Sequence, residues 1–114
     1  MVRLLKVAEL PSETLERAKR VLLVDEKTGA KNLRMIRVDV KPKAPPHVPY
    51  HFHKKQESVY YIIQGKAKLI IEDEEYIVEQ DMVVFIPPNE RHQIQNVGET
   101  DLTFIEVFSP QSDN

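Results

Sequence analysis

From Val59 onward, short runs of β-branched, aliphatic and aromatic residues recur roughly every eight to twelve positions. They are Val59 to Ile63, Ala67 to Ile71, Tyr76 to Val78, Met82 to Ile86, Gln93 to Val97 and Leu102 to Phe108. The separators are Gly65, Glu72-Asp73-Glu74-Glu75, Pro87-Pro88-Asn89-Glu90 and Gly98-Glu99-Thr100-Asp101. Each is rich in turn formers or charge, so the runs read as strands joined by turns. Many short strands with no helical pattern between them exclude a βαβ plan and predict a two-sheet sandwich or barrel.

Upstream the pattern is less regular. Ser12 to Arg20 follows Pro11, begins with an N-cap residue type, and carries acids early and bases late. That arrangement predicts a short helix. Val21 to Asp25 and Leu33 to Val40 read as strands around a turn at Lys27 to Ala30, hence a hairpin. Lys41 to Pro49 holds Pro42, Pro45, Pro46 and Pro49, which cannot join a central ladder. This stretch is predicted to be an extended loop delivering the chain to Tyr50. The expected organisation is one domain over residues 1–114, with a helical and hairpin segment over 1–40 and a barrel core over 41–110.

Composition narrows the chemistry. The chain has 114 residues, enough to bury roughly two-thirds of its unfolded surface. It has no cysteine, which removes disulfides, thiolate ligands and a cysteine nucleophile, so any metal must be held by His and carboxylate. Neither a run of about 18 apolar residues nor a signal-peptide core is present, and a cytoplasmic protein with no membrane partner is expected. Lys and Arg total 16 against 18 Asp and Glu, scattered without a basic stripe, which argues against nucleic acid as a partner.

The histidines carry the functional signal. Of the four, two are written His51-Phe52-His53. On an extended segment they share a face with Cα atoms roughly 6.5 to 7 Å apart. Two such imidazoles can converge on one ion at about 2.0 to 2.2 Å per bond. Glu57 could add a hard oxygen, and His92, opening a later strand, could close over the same point. Three imidazoles and a carboxylate suit Mn, Fe, Co, Ni or Zn.

At these residues the sequence resembles the cupin superfamily, whose first motif runs G-x5-H-x-H-x3or4-E-x6-G and whose second runs G-x5-P-x-G-x2-H-x3-N. Here the first reads His51-x-His53-x3-Glu57 followed by Gly65, and the second Asp81-x5-Pro87-x-Asn89-x2-His92-x3-Asn96. The tract His53-Lys54-Lys55, then Tyr60-Tyr61-Ile62-Ile63-Gln64-Gly65 and Ile86-Pro87-Pro88, is similar to small cupins described as sugar-phosphate-isomerase-like. The resemblance implies a jelly-roll barrel, a homodimer, and one divalent transition metal per chain held by His51, His53, Glu57 and His92, with Pro87 and Asn89 forming the turn before the last ligand.

Three departures bear on that expectation. Pro45 stands where the family's leading glycine falls. Asp81 and Asn89 replace the glycines of the second motif, and Asp and Asn are the non-glycine residues that best tolerate positive φ. Glu57 is separated from Gly65 by one residue more than the motif allows, so counting back from Gly65 places Ser58 at the ligand position. A one-residue slip reverses the face of a strand. Either a bulge turns Glu57 inward, the alternative favoured here, or Ser58 faces the ion and the site is three histidines plus water.

Other residues have plainer readings. His47 is expected to be an exposed loop residue, Lys54-Lys55-Gln56 a solvated turn, and Glu72 to Glu75 a hairpin tip in water. Tyr60, Tyr61 and Phe85 are expected in the core or an interface, with Tyr60 the one that could reach a pocket. Arg34 and Arg37 are unusual on a strand and read as solvent-facing or as contacts for a substrate anion.

The expected fold is therefore an all-β cupin jelly-roll barrel with a short N-terminal helix. The expected function is a metal-dependent cupin enzyme of dioxygenase, isomerase or decarboxylase type. It would act on an organic acid, diketone or sugar derivative held in the barrel by chelation of its oxygens. A non-catalytic small-molecule or metal binding protein is the alternative. No catalytic residue beyond the ligands is identifiable.

Overall fold

The computed structural model of the chain describes residues 2–46 and 49–112. Nine strands dominate: β1 (Ser12–Leu15), β2 (Ala18–Val24), β3 (Arg34–Val40), β4 (Glu57–Gln64), β5 (Lys66–Ile71), β6 (Glu74–Glu79), β7 (Val83–Ile86), β8 (His92–Asn96) and β9 (Leu102–Ser109). They form a six-stranded sheet in the order β1-β2-β3-β9-β4-β7 and a three-stranded sheet in the order β6-β5-β8, all neighbours antiparallel. The two sheets share one core without closing into a single hydrogen-bonded ring.

Alternation explains which side chains fill that core. On β4, Ser58, Tyr60 and Ile62 are buried while Glu57, Tyr61 and Ile63 are exposed. On β9, Leu102, Phe104 and Phe108 face inward, and on β3, Ile36, Val38 and Val40 do. The second sheet contributes Ala67, Leu69, Val78 and Ile94. Phe104 is among the largest fully buried side chains, and its truncation to Ala would cost about 3–5 kcal/mol.

The expected helix over Ser12 to Arg20 is not formed. Those residues make the β1–β2 hairpin, turning at Glu16 and Arg17, the latter with φ +56°. The helix-like charge order is local, whereas burying Ala18 and pairing it with Val40 of β3 is long-range and wins. Arg17 also ties the turn to the proline loop, its Nη2 donating to the Pro42 carbonyl at 2.8 Å and its carbonyl accepting from the Lys41 N–H at 2.8 Å. The only helical pieces among the described residues are single 3-10 turns at Val7–Glu9 and Glu26–Thr28.

The β2–β3 hairpin and the six downstream strands lie where the pattern places them. Lys41 to Pro46 and Pro49 are outside any strand, as expected of the proline loop. His47 lies outside the described residues. No helix among the described residues is long and apolar enough to cross a membrane.

The turns that replace family glycines keep the required backbone. Asp81 has φ +67° and Asn89 φ +71°. At Gly65, with φ +93°, an added Cβ would stand 2.6 Å from the Asp101 carbonyl oxygen and 2.9 Å from Leu102 Cα, so this position needs glycine for space as well as for φ.

Candidate metal centre

His92 opens β8, the edge strand of the second sheet, and His51, from the segment before β4, pairs with it through backbone. The His92 N–H donates to the His51 carbonyl at 2.7 Å, and the His51 N–H donates to the His92 carbonyl at 3.2 Å. His53 is fixed by the turn before β8, where the Asn89 N–H donates to its carbonyl at 2.7 Å. The left-handed Asn89 therefore does more than turn the chain: it sets the height of the second histidine against the third.

A clasp outside the site holds the same segments. The Glu72 N–H donates to the Arg91 carbonyl at 2.9 Å, and the Arg91 N–H donates to Glu72 Oε1 at 2.8 Å. The Arg91 guanidinium reaches Glu72 and Asp73 and lies 5.4 Å from the Tyr50 ring centroid. The exposed acidic tip thus locks the residues flanking His51 and His92. Farther on, buried Asn96 donates through Nδ2 to the carbonyls of Val40 and Thr100 and accepts from the Gly98 N–H through Oδ1, securing the end of β8.

The three imidazoles converge. Ligand nitrogens of His51, His53 and His92 all lie within 4.8 Å of one another, and the ring centroids are 4.6 to 5.5 Å apart. His51 Nδ1 lies 2.6 Å from the Pro49 carbonyl and His92 Nδ1 lies 3.0 Å from the Glu90 carbonyl. Each contact places a proton on Nδ1 and leaves Nε2 as the lone-pair nitrogen, the tautomer a metal ligand needs. His92 is 1% exposed and its Nε2 is buried without a hydrogen-bond partner. Burial, with the neighbouring His51 and His53, pushes its pKa down against the opposing pull of the Glu90 carbonyl, which keeps the ring neutral. An orphaned buried nitrogen beside two further imidazoles, with no partner among the described residues, fits a divalent transition metal.

Glu57 is not brought to this cluster. It is exposed on the outer face of β4, and the inward position belongs to Ser58, 1% exposed, whose Oγ is buried without a hydrogen-bond partner. A bulge does exist, but it lies between Ile62 and Gln64. It absorbs the extra residue on the Gly65 side of Ile62 and leaves the alternation from Glu57 to Ile62 intact. The structure therefore leaves Glu57, the favoured fourth ligand, outside the group formed by His51, His53 and His92. Gln56 also differs from its expected solvated turn: it is buried, and its Nε2 donates to the carbonyls of Pro110 and Gln111 at 3.0 Å.

Beside the histidines lies a cavity of about 160 Å³ lined by His51, His53, Tyr60, Glu106 and Arg20, with Ile36 and Phe108. Tyr60 donates a hydrogen bond to Glu106, and burial pushes the Glu106 pKa up to about 7, against the lowering effects of Tyr60, Arg20 and Arg34. Glu106 was not singled out from the sequence, although it stands in phase with Leu102, Phe104 and Phe108 on an apolar strand. Arg34, in phase with Ile36, Val38 and Val40, faces inward over the Phe108 ring at 5.7 Å, whereas Arg37 is on the outer face, paired with Asp39.

These arrangements match a known family. The model for the cupin domain matches residues 36–108, more than half of the chain. This chain is a cupin. Among curated relatives, an uncharacterized protein of Methanocaldococcus jannaschii is 31% identical over 55 residues, 48% of this cupin and 44% of the relative. An oxalate-binding protein of Thermotoga maritima is 32% identical over 74 residues, 63% of this cupin and 61% of the relative. The cupin thus spans less than two-thirds of either relative's length. Among solved structures, KdgF from a Halomonas species superposes with a TM-score of 0.84 at 19% identity, covering 99% of this cupin and 97% of that chain, a likeness of fold.

Proposed function

We propose that this cupin binds one divalent transition metal ion, Mn, Fe, Ni or Zn, through His51, His53 and His92, and acts on a polar small molecule whose oxygens chelate that ion. The observation that carries the reading is the convergence of three imidazoles with the buried His92 Nε2 lacking a hydrogen-bond partner among the described residues. Three protein ligands leave coordination positions open, as catalytic metal sites do. When bound, the ion would polarise a carbonyl or stabilise an enolate of the chelated substrate. The chain's own part is to hold the imidazoles in one tautomer, to wall the ligand with Tyr60 and Phe108, and to present Glu106 beside it.

An organic acid is the substrate class to try first, since the Thermotoga maritima relative is named an oxalate-binding protein. The same name supports the second reading, a protein that holds its ligand without turning it over. Metal-loaded protein incubated with oxalate, diketones and sugar acids separates the two. Loss of substrate with release of carbon dioxide or uptake of oxygen supports the enzyme, and stoichiometric binding without turnover supports the binding protein.

A homodimer is part of the proposal. On the outer face of the six-stranded sheet, Val59 pairs with Phe85 and Val107, and Tyr61 with Val83 and Ile105. Val83 is 65% and Phe85 56% exposed. A contiguous apolar face of this kind favours burial against a second copy.

A further inference from the structure

Arg20 and Arg34 hold positions that a strand of this core would ordinarily give to apolar residues. Arg20 follows buried Ala18 on the inward face of β2, opposite Val38, and Arg34 continues the inward row of β3, opposite Phe108. Both are half-buried, and Arg34 Nε is buried without a hydrogen-bond partner. Arg20 lines the histidine cavity and also a second cavity of about 180 Å³ that it shares with Arg34. Neither guanidinium is in an ion pair among the described residues.

The Arg34 Nε, buried without a hydrogen-bond partner, carries a desolvation cost that an anion would offset. Glu106, on the cavity wall, is the carboxylate whose ionisation both arginines favour. Glu13, at the mouth of the second cavity, is exposed and in no ion pair among the described residues. With Glu106 ionised, the inward charges are still one positive in excess before any ion binds at the histidines. The inner cavity, about 160 Å³, has room for roughly five waters' worth of liquid. That space suits a compact oxyacid.

We propose that Arg20 and Glu106, with Arg34 in the adjoining cavity behind them, form an anion-binding wall facing His51 and His53, so that the ligand of this cupin is a small dianion held between the histidines and the Arg20 guanidinium. The inference rests on the metal reading for the histidine end of the ligand and on the arginines alone for the other end. The groups around Glu106 are Arg20 on β2, Arg34 on β3, Tyr60 on β4, and His51 and His53 from the loop before it. Glu106 is the chain's own counter-charge among these cations, and a bound dianion would compete with it for them.

The test is calorimetric titration of oxalate into zinc-loaded protein at one fixed pH, on wild type, Arg20→Gln, Arg34→Gln, Arg20→Lys and Glu106→Gln, with bound zinc measured on every sample. All variants are expected to keep zinc. Arg20→Gln should weaken oxalate by about tenfold or more, Arg20→Lys by less, since it keeps the charge, and Arg34→Gln by less than Arg20→Gln, since Arg34 lines only the adjoining cavity. Glu106→Gln, which removes the competing carboxylate, should bind oxalate more tightly than wild type. Zinc retained with oxalate affinity equal to wild type in both Arg20→Gln and Glu106→Gln overturns the anion wall and leaves the metal reading standing. No zinc in the wild type defeats the metal reading instead. Oxalate titrated into that zinc-free protein then decides the wall: binding that is lost in Arg20→Gln sustains it, and no binding overturns it.

Discussion

His51 and His92 exchange both of their backbone hydrogen bonds, at 2.7 and 3.2 Å, while their rings stand 4.6 Å apart. A loop with four prolines on one side and a strand start on the other are thus fixed to each other at the point where the imidazoles meet. The cluster is preorganised by main chain, and side-chain replacement should leave its frame in place.

That separation gives a first prediction. His51→Ala and His53→Ala remove half-buried side chains that are not part of the hydrophobic core, so each should lose the metal with a stability change of about 1 kcal/mol or less. His92→Ala should also lose the metal, but its side chain is 1% exposed and its removal should cost about 1–3 kcal/mol. Elemental analysis alongside thermal unfolding of the metal-free forms checks both halves.

Glu57 and Ser58 make a paired prediction. Glu57→Ala should leave metal content and stability unchanged, because Glu57 points to solvent. Ser58→Ala removes a buried hydroxyl with no partner and should be neutral or stabilising by up to about 1 kcal/mol in the metal-free protein. Loss of metal in Glu57→Ala would mean that the strand turns its other face inward.

Glu106 predicts a pH dependence. Its folded pKa, about 7, lies above the ordinary carboxyl value of 4.5, so between these values the folded chain binds a proton that the unfolded chain has released. Its contribution therefore disfavours folding increasingly as pH rises through this window, and levels off above about 7. Glu106→Gln should be indistinguishable from wild type near pH 4 and more stable by up to about 3 kcal/mol near pH 8, in urea unfolding of the metal-free protein.

Gly65→Ala meets both a positive φ and a Cβ position 2.6 Å from a backbone oxygen. It should destabilise by about 2–4 kcal/mol, read as a lowered unfolding midpoint.

The proposed dimer gives a surface prediction. Val83→Glu or Phe85→Glu, on the exposed apolar face, should convert a dimer to a monomer in light scattering without loss of metal. A wild-type monomer would remove the dimer from the account.

Much of the fold was legible in the sequence because alternation is a local record of a two-faced sheet. The strands from Val59 to Phe108 and the left-handed Asp81 and Asn89 could be read residue by residue. The stretch from Ser12 to Arg20 could not, since its strand state depends on β3, which lies beyond Gly29 in the chain. For the site, the spacing of His51, His53 and His92 was enough to anticipate that the three imidazoles come together. The choice between Glu57 and Ser58 depended on which side of Ile62 the bulge fell, and nothing in Tyr60-Tyr61-Ile62-Ile63 marks that point. Glu106 and Arg20 were legible in principle as charges in phase with buried Phe104 and Ala18.

The central claim is that the three histidines hold an ion, and it is tested most directly by elemental analysis of untagged protein purified without chelator or nickel resin. About one equivalent of Mn, Fe, Ni or Zn per chain is the predicted result. Near-zero metal, persisting after refolding in the presence of each of these ions, would contradict the account.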